Sequence, residues 1–171
     1  MAPKMVLIGP MGAGKTTVGK VLAKRLELDF ADSDQLIEID QGKSVSEIFI
    51  EDGEAHFRLV EESVVIDAID EQNGILSLGG GAITSVPVQE RLKTCSSTKV
   101  FLDISLTAVS PRVGFDSARP LLMVNPRQKW LELMNFRRGI YENLADIQID
   151  VSDLDIDDVV FRIMVEAGLN K

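Results

Sequence analysis

The sequence predicts an α/β domain, a parallel sheet with helices on both faces, and three observations carry that prediction. Short apolar runs, MVLIG (5–9), ILSLG (75–79) and KVFLD (99–103), read as buried strands because they are too short for helices. Between them lie stretches whose apolar residues recur every three or four positions, the spacing of amphipathic helices. No repeat, low-complexity tract or linker-like stretch interrupts the 171 residues, so the whole chain, 1–171, reads as one domain. Strands alternating with helices imply parallel βαβ units, and in such sheets ligands bind beyond the carboxyl ends of the strands.

Taken in order, MVLIG is followed by a glycine-rich loop. A helix then starts near Lys15, with Val18, Val21, Leu22 and Leu26 on one face. FADSD (30–34) is short and apolar before two acids, so it reads as a second strand that delivers Asp32 and Asp34 to the sheet's carboxyl end. If the backbone stays extended there, the two side chains point to the same side. Ser33 or Asp34 is also a candidate N-cap for QLIEID. GEAHFRLVEESVVIDAIDE (53–71) predicts a helix with Phe57, Val60, Val64 and Ala68 on its apolar face, stopped by the turn signal Asn73-Gly74. IQIDV (147–151) reads as a strand near an edge. Ile156, Val159, Val160, Ile163 and Met164 mark a closing helix, and the acidic run before it suits that helix's N-terminal dipole.

Composition narrows the function. With 45% hydrophobic and 26% charged residues the chain is ordinary globular material, and its length lets it bury about two-thirds of its unfolded surface. A net charge of −9 leaves no broad basic surface for a nucleic-acid backbone. Any anionic ligand must therefore be held by individually placed lysines and arginines. The apolar N-terminal run is too short for a signal peptide, and the longest uncharged stretch is broken by glycines and a proline, so neither export nor a membrane is expected. Cys95, the one cysteine, has no partner for a bridge and fits a reducing, cytoplasmic setting. The lone His56 excludes a histidine-based metal site or a Ser-His-Asp triad, and Trp130 sits at a helical packing position.

The strongest motif is GPMGAGKTT, residues 9–17: Gly9, Pro10, Met11, Gly12, Ala13, Gly14, Lys15, Thr16 and Thr17. Gly9, Gly14, Lys15 and Thr16 satisfy G-x-x-x-x-G-K-[ST] between a strand and a helix. Such a loop turns backbone N–H groups inward around phosphate oxygens, and the helix N-terminus adds partial positive charge. Lys15 would reach the β and γ phosphates, and the Thr16 hydroxyl would ligate Mg²⁺. A nucleotide with Mg²⁺ is thus the expected ligand of this loop.

The acceptor has to be read elsewhere. Asp32 could act through water on the Mg²⁺ shell while Asp34 accepts a hydrogen bond from the acceptor hydroxyl. Gly79, Gly80 and Gly81 end a strand, where three glycines are costly and suggest close approach of backbone N–H groups to a ligand. Arg58, Arg119 and Arg137 are far apart in sequence. Converged on one pocket, they would grip a carboxylate and a transferring phosphoryl group, both of which a planar guanidinium matches bidentately.

At this point the chain resembles shikimate kinases. GPMGAGKTT, the D-S-D pair, the Phe-Arg of AHFR, LGGGA, RPLL and the R-x-x-x-Y from Arg137 to Tyr141 occur in that family's order over essentially the whole chain. The resemblance implies a three-layer P-loop NTPase fold with a five-stranded parallel sheet, akin to nucleoside monophosphate kinases. Acceptor-binding helices would span 33–61 and a lid 112–124. It also implies transfer of the γ-phosphoryl group of ATP to the 3-hydroxyl of shikimate, in aromatic amino-acid biosynthesis, by a cytoplasmic monomer. Lys15, Asp34 and Arg119 would be catalytic, with Lys15 and Arg119 on the phosphoryl group. Thr16 and Asp32 would serve Mg²⁺, and Arg112 would lie near the adenine. Asp34, Arg58, Arg137 and Gly79 to Gly81 would hold shikimate, against an apolar wall of Phe49 and Phe57. The lid run VGFDSA, between Arg112 and Arg119, departs from the family's pattern of Thr-Gly after the first arginine, which bears on adenine contacts and lid motion. Two rivals stand beside this reading: another small-metabolite kinase, such as a gluconate kinase, and a nucleotide-binding regulator without catalysis.

Overall fold

A computed structural model describes residues 4–112 and 125–169. Strands β1 (Met5–Ile8), β2 (Phe30–Asp32), β3 (Ile75–Ser77), β4 (Thr98–Asp103) and β5 (Ile147–Asp150) form one sheet in the order β2-β3-β1-β4-β5. Every pairing is parallel. The helices are α1 (Lys15–Leu26), α2 (Ser33–Gln41), α3 (Val45–Glu51), α4 (Gly53–Glu71), α5 (Val86–Thr94), α6 (Leu106–Val109), α7 (Pro126–Leu144) and α8 (Ile156–Glu166), with a 3₁₀ turn at Ala82–Thr84. The expected five-stranded α/β sheet is observed. Of the expected lid only Arg112 is described, and Arg119 and VGFDSA lie outside the described residues.

The strand order explains how helices come to cover both faces. From β1 the chain steps one way across the sheet to β2, and every later crossover steps back the other way. Right-handed crossovers in opposite directions place their helices on opposite faces. Accordingly α1 contacts α8, while α4, α5 and α7 contact one another in succession. The crossover leaving β1 runs opposite to those leaving its neighbours β3 and β4, so the glycine loop leaves the sheet at its topological switch point, where a crevice opens.

Burial follows strand position. All four residues of central β1 are buried, as is every residue of β3. Edge strand β5 alternates, with Ile147 and Ile149 inward and Gln148 and Asp150 outward, as expected for a strand near an edge.

Helix α4 spans the residues its periodicity predicts, but its buried face is shifted. Phe57, Glu61, Val65, Ala68 and Ile69 are buried, whereas Val60 and Val64 are half-buried. The reason is that α4 serves two cores. Val65, Ala68 and Ile69 join the main one, while Val60 and Val64 lean on a smaller cluster of Ile37, Ile48 and Phe57 between α2, α3 and α4. A single stripe cannot describe a helix that faces two directions. Short α3 is held at its start by a capping box, in which the Glu47 N–H donates to Ser44 Oγ (3.2 Å) and the Ser44 N–H donates to Glu47 Oε2 (2.7 Å).

The turn at Asn73-Gly74 ends α4 as predicted, but Gly74 is required by proximity. A Cβ at Gly74 would fall on the backbone of Asp29, whose carbonyl accepts from the Ile75 N–H at 2.8 Å. No rotamer change relieves a clash between two main chains. Gly74→Ala should therefore destabilise the fold by at least about 2 kcal/mol. For a chain of this size that is a fall in Tm of roughly 4–8 °C, measured by thermal denaturation.

Candidate active site

The expected phosphate loop sits between β1 and α1, with Gly9, Gly12 and Gly14 at positive φ. Lys15 is buried, and its Nζ donates to the carbonyls of Gly9 (2.8 Å) and Pro10 (3.0 Å), bridging the loop it terminates. Trp130 of α7 closes the loop from outside, donating from Nε1 to the Met11 carbonyl at 2.9 Å. Its packing role thus includes one directed polar contact.

The second strand carries the first correction. Neither Ser33 nor Asp34 caps α2; Asp32 does, its Oδ1 accepting from the Asp34 N–H at 3.0 Å. The backbone turns helical at Ser33, so strand alternation does not place Asp34. Instead Asp34 occupies the first helical turn. The other oxygen of Asp32, Oδ2, accepts from Thr16 Oγ1 at 2.6 Å. Ser33, fully buried, accepts from the Gly79 N–H at 2.8 Å, tying the start of α2 to the end of β3.

That contact also revises the reason for the three glycines. The Gly79 N–H is engaged by Ser33, so it is not presented to a ligand. What each glycine provides is space. A Cβ at Gly79 would lie 2.6 Å from Asp34 Oδ1, and one at Gly80 would lie 3.5 Å from Arg137 Nη1 and 3.4 Å from the Gly9 carbonyl. At Gly81 it would overlap the Arg58 guanidinium. One bare strip of backbone therefore separates the acid, the phosphate loop and two arginines.

These groups enclose a cavity of about 580 Å³. Among the sequence-predicted residues, Met11, Gly12, Gly14, Lys15, Thr16, Thr17, Asp32, Asp34, Phe49, Phe57, Arg58, Gly79, Gly80, Gly81, Arg112 and Arg137 line it. Gly9, Pro10 and Ala13 do not: the first two offer their carbonyls to Lys15, and Ala13 is buried in the main core. Phe49 and Phe57 form a tilted pair, centroids 4.6 Å apart, which gives the cavity an apolar side.

The lining also includes residues that sequence reasoning missed, Glu38, Val45, Ser46, Glu61, Ser77 and Leu78. Glu61 matters most. It is buried, and its Oε2 accepts from Arg58 Nη1 at 2.6 Å. Its spacing of four from Phe57 was the available signal, hidden because a glutamate does not register in an apolar stripe. Arg58 also meets Glu54 at 3.6 Å, so the guanidinium is braced along α4.

Lys15, Arg58, Arg112 and Arg137 balance Asp32, Asp34, Glu38 and Glu61 around the cavity, in a chain of net charge −9. The site is thus far less acidic than the rest of the molecule. Burial raises the Asp34 carboxyl above its ordinary range, the nearby Asp32 charge adds to this, and Lys15 opposes it. Burial likewise raises Glu61 against the pull of Arg58. Arg137, 6% exposed, has its guanidinium pKa lowered by burial, and its Nε has no hydrogen-bond partner among the described residues. A buried guanidinium with an unused donor is suited to a carboxylate or phosphate.

The raised Asp34 gives a signed prediction. A carboxyl whose pKa is higher in the folded than in the unfolded chain costs stability once it ionises, and the cost disappears below the unfolded value near 3.8. Asp34→Asn should therefore raise the Tm of the ligand-free protein at pH 7.5 by roughly 2–4 °C, equivalent to about 1 kcal/mol. The advantage should shrink as the pH is lowered toward 4, as followed by thermal denaturation across that range. A variant less stable than the parent at neutral pH would refute the cost assigned to this carboxylate.

Comparison with known proteins agrees with this geometry. The shikimate kinase family model matches residues 11–167. A shikimate kinase of Rhodococcus jostii is 47% identical over 150 residues, covering 87% of this chain and 88% of that protein. The structure of shikimate kinase from Acinetobacter baumannii in complex with shikimate superposes with a TM-score of 0.92 at 36% identity, over 100% of this chain and 97% of that one. A gluconokinase from Sinorhizobium meliloti, at 16% identity and a TM-score of 0.65 over 98% of this chain and 92% of its own, shares the fold alone. From loop, cavity and relatives together, this chain belongs to the shikimate kinase family.

Proposed function

We propose that this chain transfers the γ-phosphoryl group of MgATP to the 3-hydroxyl of shikimate, giving shikimate 3-phosphate and ADP. The observation that carries the reading is the strip Gly79–Gly81, with Asp34 on one side, Arg58 and Arg137 on the other and the phosphate loop at its middle. Such a strip suits a small hydroxylated carboxylate lying across it, with one hydroxyl toward the loop.

Phosphoryl transfer is chiefly positioning and charge stabilisation. Arg58 and Arg137 grip the acceptor's carboxylate, and Phe49 and Phe57 support the carbocyclic ring. Asp34 orients the hydroxyl and takes its proton as the oxygen bonds to the γ-phosphorus; the bond to the β-phosphate oxygen breaks and ADP leaves. Lys15 neutralises charge on the transferring group. Arg119, outside the described residues, joins it by the family resemblance, and Arg112 meets the adenine. Thr16 and Asp32 offer adjacent oxygen ligands at 2.6 Å, a donor set that fits Mg²⁺. Among the described residues no group of three or more His, Cys, Asp or Glu is placed to hold a metal ion. When bound, Mg²⁺ supplies charge neutralisation across the β and γ phosphates.

The rest of the reading follows the family. Residues 1–171 act as one kinase domain and a monomer, with 33–61 as the acceptor-binding region and 112–124 as the lid. The setting is the cytoplasm, and no helix among the described residues is long and apolar enough to cross a membrane. Neither nucleic acid nor a membrane is a partner.

An ADP-release assay with MgATP and shikimate, quinate, gluconate, a nucleoside monophosphate or no acceptor tests the reaction. Selective turnover with shikimate is expected. Gluconate turnover would leave the loop reading intact and overturn the pocket, and ATP binding without acceptor-dependent release would favour a regulator. Asp34→Asn should cut turnover by about 10²–10⁴-fold with ATP affinity retained. Arg58→Ala should raise the acceptor KM by roughly ten-fold or more with little change in the ATP KM.

A further inference from the structure

Tyr141 lies outside the cavity lining yet touches two of its parts. It is fully buried on α7, one helical turn beyond Arg137 and on the same face. Its ring stacks on Phe101 of β4, centroids 5.0 Å apart and planes 22° apart, so the phenol has little freedom. Its Oη donates to the Gly80 carbonyl at 2.5 Å. A hydroxyl has one proton; with that proton committed, the oxygen offers only lone pairs to its other neighbour. That neighbour is the Arg137 guanidinium, which borders the same glycine, its Nη1 3.5 Å from where a Cβ at Gly80 would stand.

Packing alone does not account for the hydroxyl. Phenylalanine would preserve the stack on Phe101, and burying a hydroxyl is unfavourable unless it is hydrogen-bonded, as this one is to Gly80. Arg137 needs such a neighbour. It is buried and Arg58 repels it, Glu61 favours its charge, and the neutral Tyr141 oxygen turns lone pairs toward it. Burial pushes the phenol up to about 12 against the pull of Arg137, so it keeps its proton, and hence its orientation, through the neutral range.

We propose that Tyr141 is a positioning residue, whose hydroxyl fixes the Gly80 peptide and the Arg137 guanidinium relative to each other so that they receive the acceptor's carboxylate and ring together. This rests on the reading that Arg137 meets that carboxylate. Tyr141 does not touch the acceptor; it sets the distance between two groups that do.

The test is a double-mutant cycle in the full chain, read as KM for shikimate, KM for ATP and kcat, with the Tm of each variant recorded. Tyr141→Phe should raise the shikimate KM by about ten-fold and leave the ATP KM within about two-fold. Arg137→Ala should raise the shikimate KM further, and adding Tyr141→Phe to it should do no more harm, because the hydroxyl acts through the missing guanidinium. Arg137→Lys replaces the alanine variant if that one melts below the assay temperature. Tyr141→Phe with an unaltered shikimate KM, both KM values raised alike, or penalties that multiply in the double variant would each overturn the proposal in favour of packing. An unaltered shikimate KM in a folded Arg137 variant would overturn the carboxylate reading, and this inference with it.

Discussion

Asp32 holds the two halves of the site in register. One of its oxygens accepts from Thr16 at the start of α1, and the other caps α2 through the Asp34 N–H. The phosphate loop and Asp34 are thereby separated by a single carboxylate at the end of an edge strand. A carboxylate has lone pairs enough for both contacts, which an amide or hydroxyl in its place does not match. Because the cap sits at the helix N-terminus, its negative charge is also favourable there. The spacing between the phosphate loop and Asp34 is thus set by two short-range contacts.

Around that point the molecule concentrates charge where space has been cleared for it. The Gly79–Gly81 strip ends β3 in the midst of Asp34, Glu61, Arg58 and Arg137, and each glycine faces a different one of these groups or the loop. Cations and carboxylates are interleaved, so burial that would be prohibitive for any one of them is shared. The cost remains visible in the raised Asp34 and Glu61 and the lowered Arg137. A site of this kind is preorganised: its dipoles and charges are set by the fold, and one buried donor, Arg137 Nε, is left unused among the described residues.

Helix α7 belongs to this site as much as the loop does. Along one helix, Trp130 donates to the phosphate loop, Arg137 enters the cavity, Arg138 forms a two-pronged pair with Asp103 at 2.8 and 3.0 Å, and Tyr141 meets Gly80. These contacts run from the loop to the end of β4 at helical spacing. One helix thus ties the phosphate loop, the end of β4 and the glycine strip together.

Local sequence was enough for whatever rests on local chemistry. The phosphate loop, the strand before it, the extent of α4 and the alternation of β5 are dictated by neighbours within a few residues, and motif and periodicity read them correctly. The convergence of Asp34, Arg58 and Arg137 was legible through the family resemblance, since no spacing rule brings residues 24 and 79 positions apart into contact. Other features were decided by tertiary structure alone. Asp32 rather than Ser33 caps α2 because the chain turns helical one residue early. Gly74 is needed because another backbone passes beside it, and α4 turns Glu61 inward because two cores and a cavity divide its surface. Sequence by itself determined the family, the phosphate-loop motif and the order of the main elements. Only the folded chain decided which buried polar atoms satisfy one another, because those partners lie on different elements and meet through the packing of the sheet.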